Sequence, residues 1–227
     1  MQLTAKKLGV VTTVSSELNE DALINMGDAL AGEIAWAFSF KEDDCGFNGD
    51  GTSTYGGIVG LLNSLTDTTT QIANGSATNY AGVTVAEISA GFKLLPAWAG
   101  QRNNIKIFCP KGAYHGVFER LMAVGSGNSM TDLANGFQTP KWMGYPVEFS
   151  QAISATESAD ATFAYIGDLR QAVYMGDRRQ NAIAFSDSAL NAFEQDEIAV
   201  RGTERFDIVC ANVGSSSATG AIVRMRL

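Results

Sequence analysis

The chain has 227 residues, and its 16 basic against 24 acidic residues give a formal net charge of −8 at pH 7. An acidic chain is repelled by phosphate backbones, which argues against direct sequence-specific binding of nucleic acid. No apolar run approaches the roughly 20 residues that cross a bilayer, and no secretion signal is recognisable, so we expect no membrane association. The three cysteines are widely spaced, which predicts reduced thiols rather than a disulfide framework or a metal site.

The first predicted elements are a short strand over residues 7–14 and a long helix over about 21–45. β-branched residues indicate the strand. Ser15 and Ser16 offer hydroxyl oxygens to cap the helix, and acidic residues follow in its first turns. The helix would be roughly 37 Å long at 1.5 Å per residue. Its predicted apolar stripe, which Trp36 and Phe40 widen, consists of Leu23, Met26, Leu30, Ala31, Ile34, Ala35 and Phe38.

A polar and glycine-rich segment ends the predicted helix. The run 41–44 (Lys-Glu-Asp-Asp) precedes Gly46 and the segment 48–52 (Asn-Gly-Asp-Gly-Thr), a composition typical of a helix C-terminus. We expect Asp50 to be a turn residue whose carboxylate accepts local backbone N–H groups. The glycines do not indicate a phosphate loop, because they follow a helix and no Lys-Ser/Thr comes after them. The acidic residues also lack the spacing of a calcium loop.

The rest of the chain alternates short helices, strands and polar loops. Up to residue 109 we predict a brief apolar element over 58–65, a surface loop over 66–82, a helix opened by the capping box of 84–87 and limited by Pro96, and a strand over 105–109. A helix from Pro110, a polar loop over 125–136 and a turn with Pro146 at its second position follow, and the turn leads into a strand ending at 149. The remaining predicted elements are strands within 161–175, a charged turn over 176–179, a strand over 182–185, an extended segment over 193–209 and a last strand over 221–225.

Four short motifs occur in a fixed order along the chain. They are 49–52 (Gly-Asp-Gly-Thr) at the helix exit, 144–147 (Gly-Tyr-Pro-Val), Gly167-Asp168 after a strand, and Arg201 followed by Arg205-x-Asp207. In this order they resemble the major capsid proteins of tailed phages (Caudovirales) of the Hong Kong 97 type. The family normally has an N-terminal arm and an extended loop before the long helix, whereas only about fifteen residues precede it here. The resemblance therefore implies a trimmed chain or a member with reduced extensions.

The resemblance implies an α+β fold, the Hong Kong 97-like capsid fold, with a long spine helix and two interleaved domains. A peripheral domain would combine the spine helix with long antiparallel strands over residues 1–57 and 176–205. An axial domain, with a central sheet flanked by helices, would cover 58–175 and 206–227. The structural or assembly residues that the resemblance implies are Gly49, Asp50, Gly51, Thr52, Gly167, Asp168, Arg201 and Arg205.

The implied function is structural. The chain would be the subunit of a bacteriophage or prophage icosahedral capsid and would self-assemble into hexamers and pentamers that enclose the genome. Its implied partners are further copies of itself and, in addition, a scaffold, a maturation protease and a portal. Its implied location is the virion capsid, and the bacterial host cytoplasm before assembly. The nearest alternative is the shell of an encapsulin-like nanocompartment; a small hydrolase and a phage tail or adaptor protein are further alternatives.

The sequence indicates no catalytic, cofactor or metal site. His115 is the only histidine, and no nucleophile motif lies near it. The segment 125–127 (Gly-Ser-Gly) lacks the Gly-x-Ser-x-Gly elbow of a serine hydrolase. We therefore expect no enzyme activity and no cofactor.

Acidic and basic residues share the segment between residues 194 and 205, which predicts a salt-bridged surface or a subunit interface. They are Glu194, Asp196, Glu197, Arg201, Glu204 and Arg205. Some members of the resembled family join a Lys to an Asn with the help of a Glu. Here those Asn and Glu positions hold Asp196 and Thr203, so the resemblance implies no covalent cross-linking.

Overall fold

The computed structural model describes residues 2–17, 26–100, 104–125, 140–188 and 192–227. Its strands are β1 (Lys6–Ser15), β2 (Ile72–Asn74), β3 (Lys106–Cys109), β4 (Lys141–Trp142), β5 (Tyr145–Phe149), β6 (Thr162–Gly167), β7 (Val173–Ser186), β8 (Glu197–Cys210), β9 (Gly214–Ser215), β10 (Ala218–Thr219) and β11 (Ile222–Arg226). Its α-helices are α1 (Met26–Asn48), α2 (Leu61–Ser64), α3 (Val85–Leu94), α4 (Ala97–Gly100), α5 (Lys111–Ala113), α6 (Arg120–Gly125), α7 (Leu169–Ala172) and α8 (Ala192–Gln195).

The chain divides into two compact units. The first unit is Met1–Glu42 with Met175–Ile208, and the second is Asp43–Tyr174 with Val209–Leu227. The boundaries expected from the resemblance lie after residues 57, 175 and 205. Both units are interleaved in sequence, because each is built from two separate stretches of the chain.

The first unit contains a three-stranded sheet in the order β1-β8-β7. All ten residues of β1 pair antiparallel with β8, from Lys6 opposite Phe206 to Ser15 opposite Glu197. Strand β7 has 14 residues and includes positions 176–179, so the predicted charged turn there is wrong. These polar residues lie within a largely exposed strand, and charged side chains on such a strand resemble a turn in sequence.

Helix α1 packs on this sheet through one narrow face. Ile34 and Phe38 are buried against Val200, with Leu8, Val10, Leu30 and Ile183 partly buried around them. A Cβ atom at Gly202 would lie 2.6 Å from Cγ2 of Ile34, so the helix approaches the strand where the strand has no side chain. The central residues of the predicted stripe are therefore confirmed as core.

The prediction that Trp36 and Phe40 widen the buried stripe is wrong. Their side chains are 61% and 41% exposed, and the two rings stack on each other with centroids 5.8 Å apart. Trp36 lies two residues from both Ile34 and Phe38, and two residues correspond to about 200° around a helix. The aromatic pair therefore lies on the side of α1 that faces away from the sheet.

The ends of helix α1 differ from the prediction. Ser15 is the last residue of strand β1, and the expected first turns at residues 18–25 lie outside the described residues. The helix continues through Gly46 and ends at Asn48, three residues after the predicted end at Cys45. Gly46 does not end it, since a helix tolerates a single glycine at a cost of only about 1 kcal/mol.

The second unit is built around a six-stranded sheet in the order β2-β11-β6-β3-β5-β4. Strands β2 and β5 run parallel to their neighbours β11 and β3, and the other neighbouring strands of this sheet pair antiparallel. All six residues of β6 are buried, which places this strand at the centre of the unit. The prediction of a loop throughout 66–82 is wrong, because β2 lies within it and buries Ile72 and Ala73. Three residues are too few to show a sequence period.

Several local predictions for this unit are confirmed. Thr84 and Glu87 form the capping box of α3, the strand near 105–109 is β3, and the last strand is β11. The helix after Pro110 is present, but it passes through a π-helical segment over Tyr114–Glu119. The hairpin turn before β5 is made by Met143 and Gly144, whose φ angles are 45° and 88°, and Pro146 lies in the strand. The predicted loop over 125–136 lies almost entirely outside the described residues.

No helix within the described ranges is long and apolar enough to cross a membrane.

Replacing Ile34 with Asp should abolish cooperative folding of the first unit, because it buries an unpaired charge where α1 meets Val200. We expect a loss of about 4 kcal/mol or more in the free energy of unfolding, measured by denaturant titration. Trp36→Ser on the same helix is the matched control and should change stability little, since Trp36 is exposed. A soluble Ile34→Asp protein that melts cooperatively near the wild-type temperature would contradict this placement of the core.

Candidate assembly site

The exit from helix α1 is fixed by two glycines whose backbones are in direct contact. The Gly60 N–H donates to the Gly49 carbonyl oxygen at 2.9 Å, and the Gly49 N–H donates to the Cys45 carbonyl at 3.1 Å. A Cβ atom at Gly49 would lie 2.6 Å from the carbonyl oxygens of both Cys45 and Ile58, and one at Gly60 would lie 2.7 Å from the Gly49 nitrogen. Neither position has room for a side chain, so both glycines are required by close approach.

Side chains complete this turn. The Asp50 carboxylate accepts the Thr52 N–H at 2.8 Å, as expected for a turn residue. Hydrogen bonds from the Thr52 side chain and backbone hold the pKa of Asp50 below its ordinary value. The Asn63 amide donates to the carbonyl oxygens of Asn48 and Gly49 at 3.2 and 2.8 Å, which satisfies carbonyl groups at the helix end. Gly51 has a φ angle of 79°, so this position favours glycine.

Gly167 and Asp168 form a second rigid turn in the same unit, at the end of β6. A Cβ atom at Gly167 would collide with the carbonyl oxygen of Ala221, the residue just before the neighbouring strand β11. The Asp168 side chain is buried and caps α7, accepting the Arg170 N–H at 3.1 Å and the Gln171 side-chain amide at 2.9 Å. The pair therefore joins the central sheet to the start of β7.

Asp168 and the end of α1 share one half-open cleft of about 400 Å³ in the second unit. Its other lining includes Phe47, whose ring lies 5.5 Å from that of Tyr165, and an ion pair between Lys106 and Glu148 at 2.8 Å. Positive and negative groups therefore already neutralise each other on this surface.

Arg201 and Arg205 lie in the first unit on strand β8. The sequence predicted a salt-bridged surface or a subunit interface here, and among the described residues no ion pair includes either arginine. The subunit interface stays a prediction. Adjacent residues of a strand point to opposite faces, so Glu204 cannot meet Arg205. Glu204 is only 6% exposed, and its Oε1 atom has no hydrogen-bond partner. Arg205 instead donates to the Ala5 carbonyl oxygen at 3.4 Å.

His115, Cys109 and Cys210 carry side chains of the kinds that act as base or nucleophile in enzymes. His115 is exposed on the π-helical segment and pairs through Nδ1 with Glu119, four residues later. Burial raises the pKa of the Cys109 thiol to about 12 and also raises the pKa of Cys210, so neither favours the nucleophilic thiolate. In the part of the chain that the structure describes, no group of three His, Cys, Asp or Glu residues is arranged to hold a metal ion.

Three features have no signal in the sequence pattern. Gly60 lies in the segment 58–65, for which the sequence predicts only a brief apolar element and no backbone contact with Gly49. The sequence does not predict the buried capping role of Asp168. Phe193 opens the predicted extended segment 193–209, whereas in the structure it lies on helix α8 and is 86% exposed.

The fold is similar to those of several solved structures. The chain aligns over 99% of its length with a chain from the capsid of a native GTA particle, at a TM-score of 0.72 and 20% identity, and covers 73% of that chain. For Mycobacterium phage Adephagia the TM-score is 0.66 at 20% identity, with 98% of this chain and 72% of that chain covered. For Microbacterium phage Oxtober96 it is 0.67 at 15% identity, with 98% and 72% covered. No curated protein sequence gives a significant match.

The fold is therefore the Hong Kong 97-like fold of tailed-phage capsid proteins. The sequence profile of the Phage capsid family matches residues 1–215. The chain belongs to this family, and it is a structural capsid subunit.

Replacing Gly49 with Ala should lower the free energy of unfolding by about 3 kcal/mol, because the new Cβ meets rigid backbone oxygens on two sides. Gly32→Ala is the matched control: a Cβ there meets no atom within 4 Å, and alanine should stabilise the helix by about 0.5–1 kcal/mol. Denaturant titration measures both. Equal effects of the two substitutions would contradict the close approach at Gly49.

Replacing Asp168 with Ala should cost about 1–2 kcal/mol, because the Arg170 N–H and the Gln171 amide lose their buried acceptor. Asp168→Asn keeps one side-chain oxygen and should cost clearly less. The measurement is the shift in thermal unfolding temperature of each variant. An Asn variant as unstable as the Ala variant would contradict the capping role.

Proposed function

We propose that this chain assembles into hexamers and pentamers that close as an icosahedral shell around the DNA of a tailed phage or prophage. The observation that carries the proposal is the match of the Phage capsid family over residues 1–215, together with the Hong Kong 97-like fold. Rings of identical subunits require heterologous contacts, in which two different surfaces of one chain meet on neighbouring copies.

The surface of the first unit supports such association. Exposed large apolar side chains mark interaction sites when they are concentrated on one part of a protein. More than half of those identified in the described residues belong to this unit: Leu3, Val11, Trp36, Phe40, Met175, Phe185 and Phe193.

We further propose that the subunit has no catalytic activity of its own. His115 bound to Glu119 and thiols with raised pKa values support this, since neither is paired with a partner in the manner of a catalytic nucleophile and base. A scaffold, a maturation protease and a portal are the further partners that the family membership suggests. Synthesis in the host cytoplasm before assembly belongs to the same proposal. The peripheral role of the first unit and the axial role of the second are also proposals.

The proposed function is tested by expressing the native gene product at full length and analysing it by gradient sedimentation and negative-stain microscopy. We expect fast-sedimenting closed shells, with isolated rings as intermediates. Slowly sedimenting monomers at every concentration, with or without the neighbouring phage genes, would contradict the proposal.

His115→Ala should leave shell yield and shell diameter unchanged, because the imidazole is exposed and its contacts, with the Glu119 carboxylate and the Tyr114 ring, are local. Hydrolase activity against general ester and peptide substrates should stay at background in both the wild-type and the variant. Activity that the wild-type protein has and His115→Ala loses would contradict the structural assignment and favour a hydrolase.

A further inference from the structure

Helix α8 displays the most exposed of the large apolar side chains in the described residues, Phe193. Its neighbour Ala192 is buried and anchors the helix, while Glu194 and Asp196 are exposed. The carbonyl oxygen of Asp196 accepts the Ser16 N–H at 3.0 Å, which fixes this turn against the end of strand β1. Acidic residues occur at 187, 194, 196 and 197, with no Lys or Arg between 185 and 197. The result is a fixed aromatic ring surrounded by negative charge.

Positively charged side chains lie on the face of the sheet that points away from helix α1. Lys7 stands directly opposite Arg205, and Val11 stands directly opposite Arg201. Like charges directly opposite each other destabilise a sheet. None of these three cations forms an ion pair with a residue that the structure describes. The nearby Asp207 carboxylate already accepts the N–H groups of Thr4 and Ile208.

Between these two residue pairs the sheet carries only small side chains. Gly9 stands opposite Thr203, halfway between the Lys7–Arg205 pair and the Val11–Arg201 pair. The two flanking pairs are about 13 Å apart, four residues along a strand. Gly9 between them is exposed, Thr203 is only 7% exposed, and Cε of Lys7 lies 4.0 Å from where a Cβ of residue 9 would stand. An aromatic ring over Gly9 therefore displaces the flexible end of the Lys7 side chain. Arginine side chains on either side of that space would offer cation–π contacts to the ring.

The two surfaces cannot meet within one chain. Helix α8 is held at the Ser15 end of strand β1, and Gly9 lies six residues farther along that strand, about 20 Å away. Both surfaces belong to the first unit. Contact between them therefore requires a second copy.

We propose that Phe193 of one copy docks over Gly9 of a neighbouring copy, between Arg201 and Arg205, with Glu194 of the first copy against the Lys7 cation of the second. The contact is heterologous, so it propagates from copy to copy and closes a ring when the angle allows. This inference rests on the proposed shell function and names one contact through which the shell is built.

Substitutions on both sides of the contact test the proposal in the full-length protein. Phe193→Ala removes the ring, Lys7→Glu reverses a cation, and Gly9→Val fills the space. The Cβ of residue 9 would meet its nearest atoms at 3.7–4.0 Å, which is ordinary contact, so the subunit itself tolerates the valine. Light scattering against protein concentration, with a thermal melt of each variant, separates assembly from folding.

We expect each of the three variants to raise the concentration at which shells appear by about tenfold or more, as truncation of an interface anchor does, with an unchanged melting temperature of the free subunit. Lys6→Glu is the matched control for Lys7→Glu. Lys6 is the neighbouring cation on the opposite face of β1. A Lys6→Glu variant as damaging as Lys7→Glu would overturn the docking contact, and so would wild-type assembly of the three variants.

A charge swap and a cross-link give independent readouts. Glu194→Lys combined with Lys7→Glu should restore much of the assembly that Lys7→Glu loses.

Gly9→Cys combined with Phe193→Cys should yield a reducible ladder of linked copies in oxidised shells, whereas each single variant should not. Shells without a ladder would overturn the contact and leave the shell function intact. A native protein that forms neither shells nor rings would overturn both.

Discussion

Helix α1 lies close against strand β8 because position 202 carries no side chain. Ile34 and Phe38 fill the space over Gly202, and a Cβ there would collide with both of them. This contact buries one face of the helix and one face of the sheet, so the opposite face of each stays exposed. With one sheet face covered by α1, Lys7, Arg201 and Arg205 lie on the other face. Trp36 and Phe40 lie on the far side of the helix. The surfaces available for association in the first unit thus follow from one glycine.

The second unit depends on the same kind of constraint. Gly49 and Gly60 bring the helix exit and the next segment into backbone contact, and Gly167 brings β6 against the carbonyl of Ala221. Each close approach fixes a turn without using a catalytic or ligand-binding group. The charged residues nearby are similarly occupied: Asp50 closes a turn, Asp168 caps α7, and Lys106 neutralises Glu148. Because these polar side chains bond to groups of the same chain, they stabilise a rigid subunit.

Long or strongly patterned elements could be predicted from the sequence, and elements defined by tertiary contacts could not. The four-residue recurrence through Ile34 and Phe38 predicted the packed face of α1, and the Thr84–Glu87 spacing predicted a capping box. Strand β2 is too short to show a period, and it exists because it pairs with β11 from the far end of the chain. Trp36 lies about 200° around the helix from Ile34 and Phe38, which places it on the exposed side. Its hydrophobicity instead suggested that it is buried. That neither Arg201 nor Arg205 forms an ion pair with a described residue depends on which strand face each occupies, and that requires the register with β1.

The central claim is that this chain builds a closed shell from copies of itself. Cryo-electron microscopy of particles formed by the native gene product tests it most directly, because it shows symmetry and subunit fold together. The account predicts icosahedral particles in which hexamers and pentamers are made of subunits with the fold described above, and in which the first unit contacts its neighbours. Particles of another symmetry, or icosahedral particles whose density does not fit this fold, would contradict it.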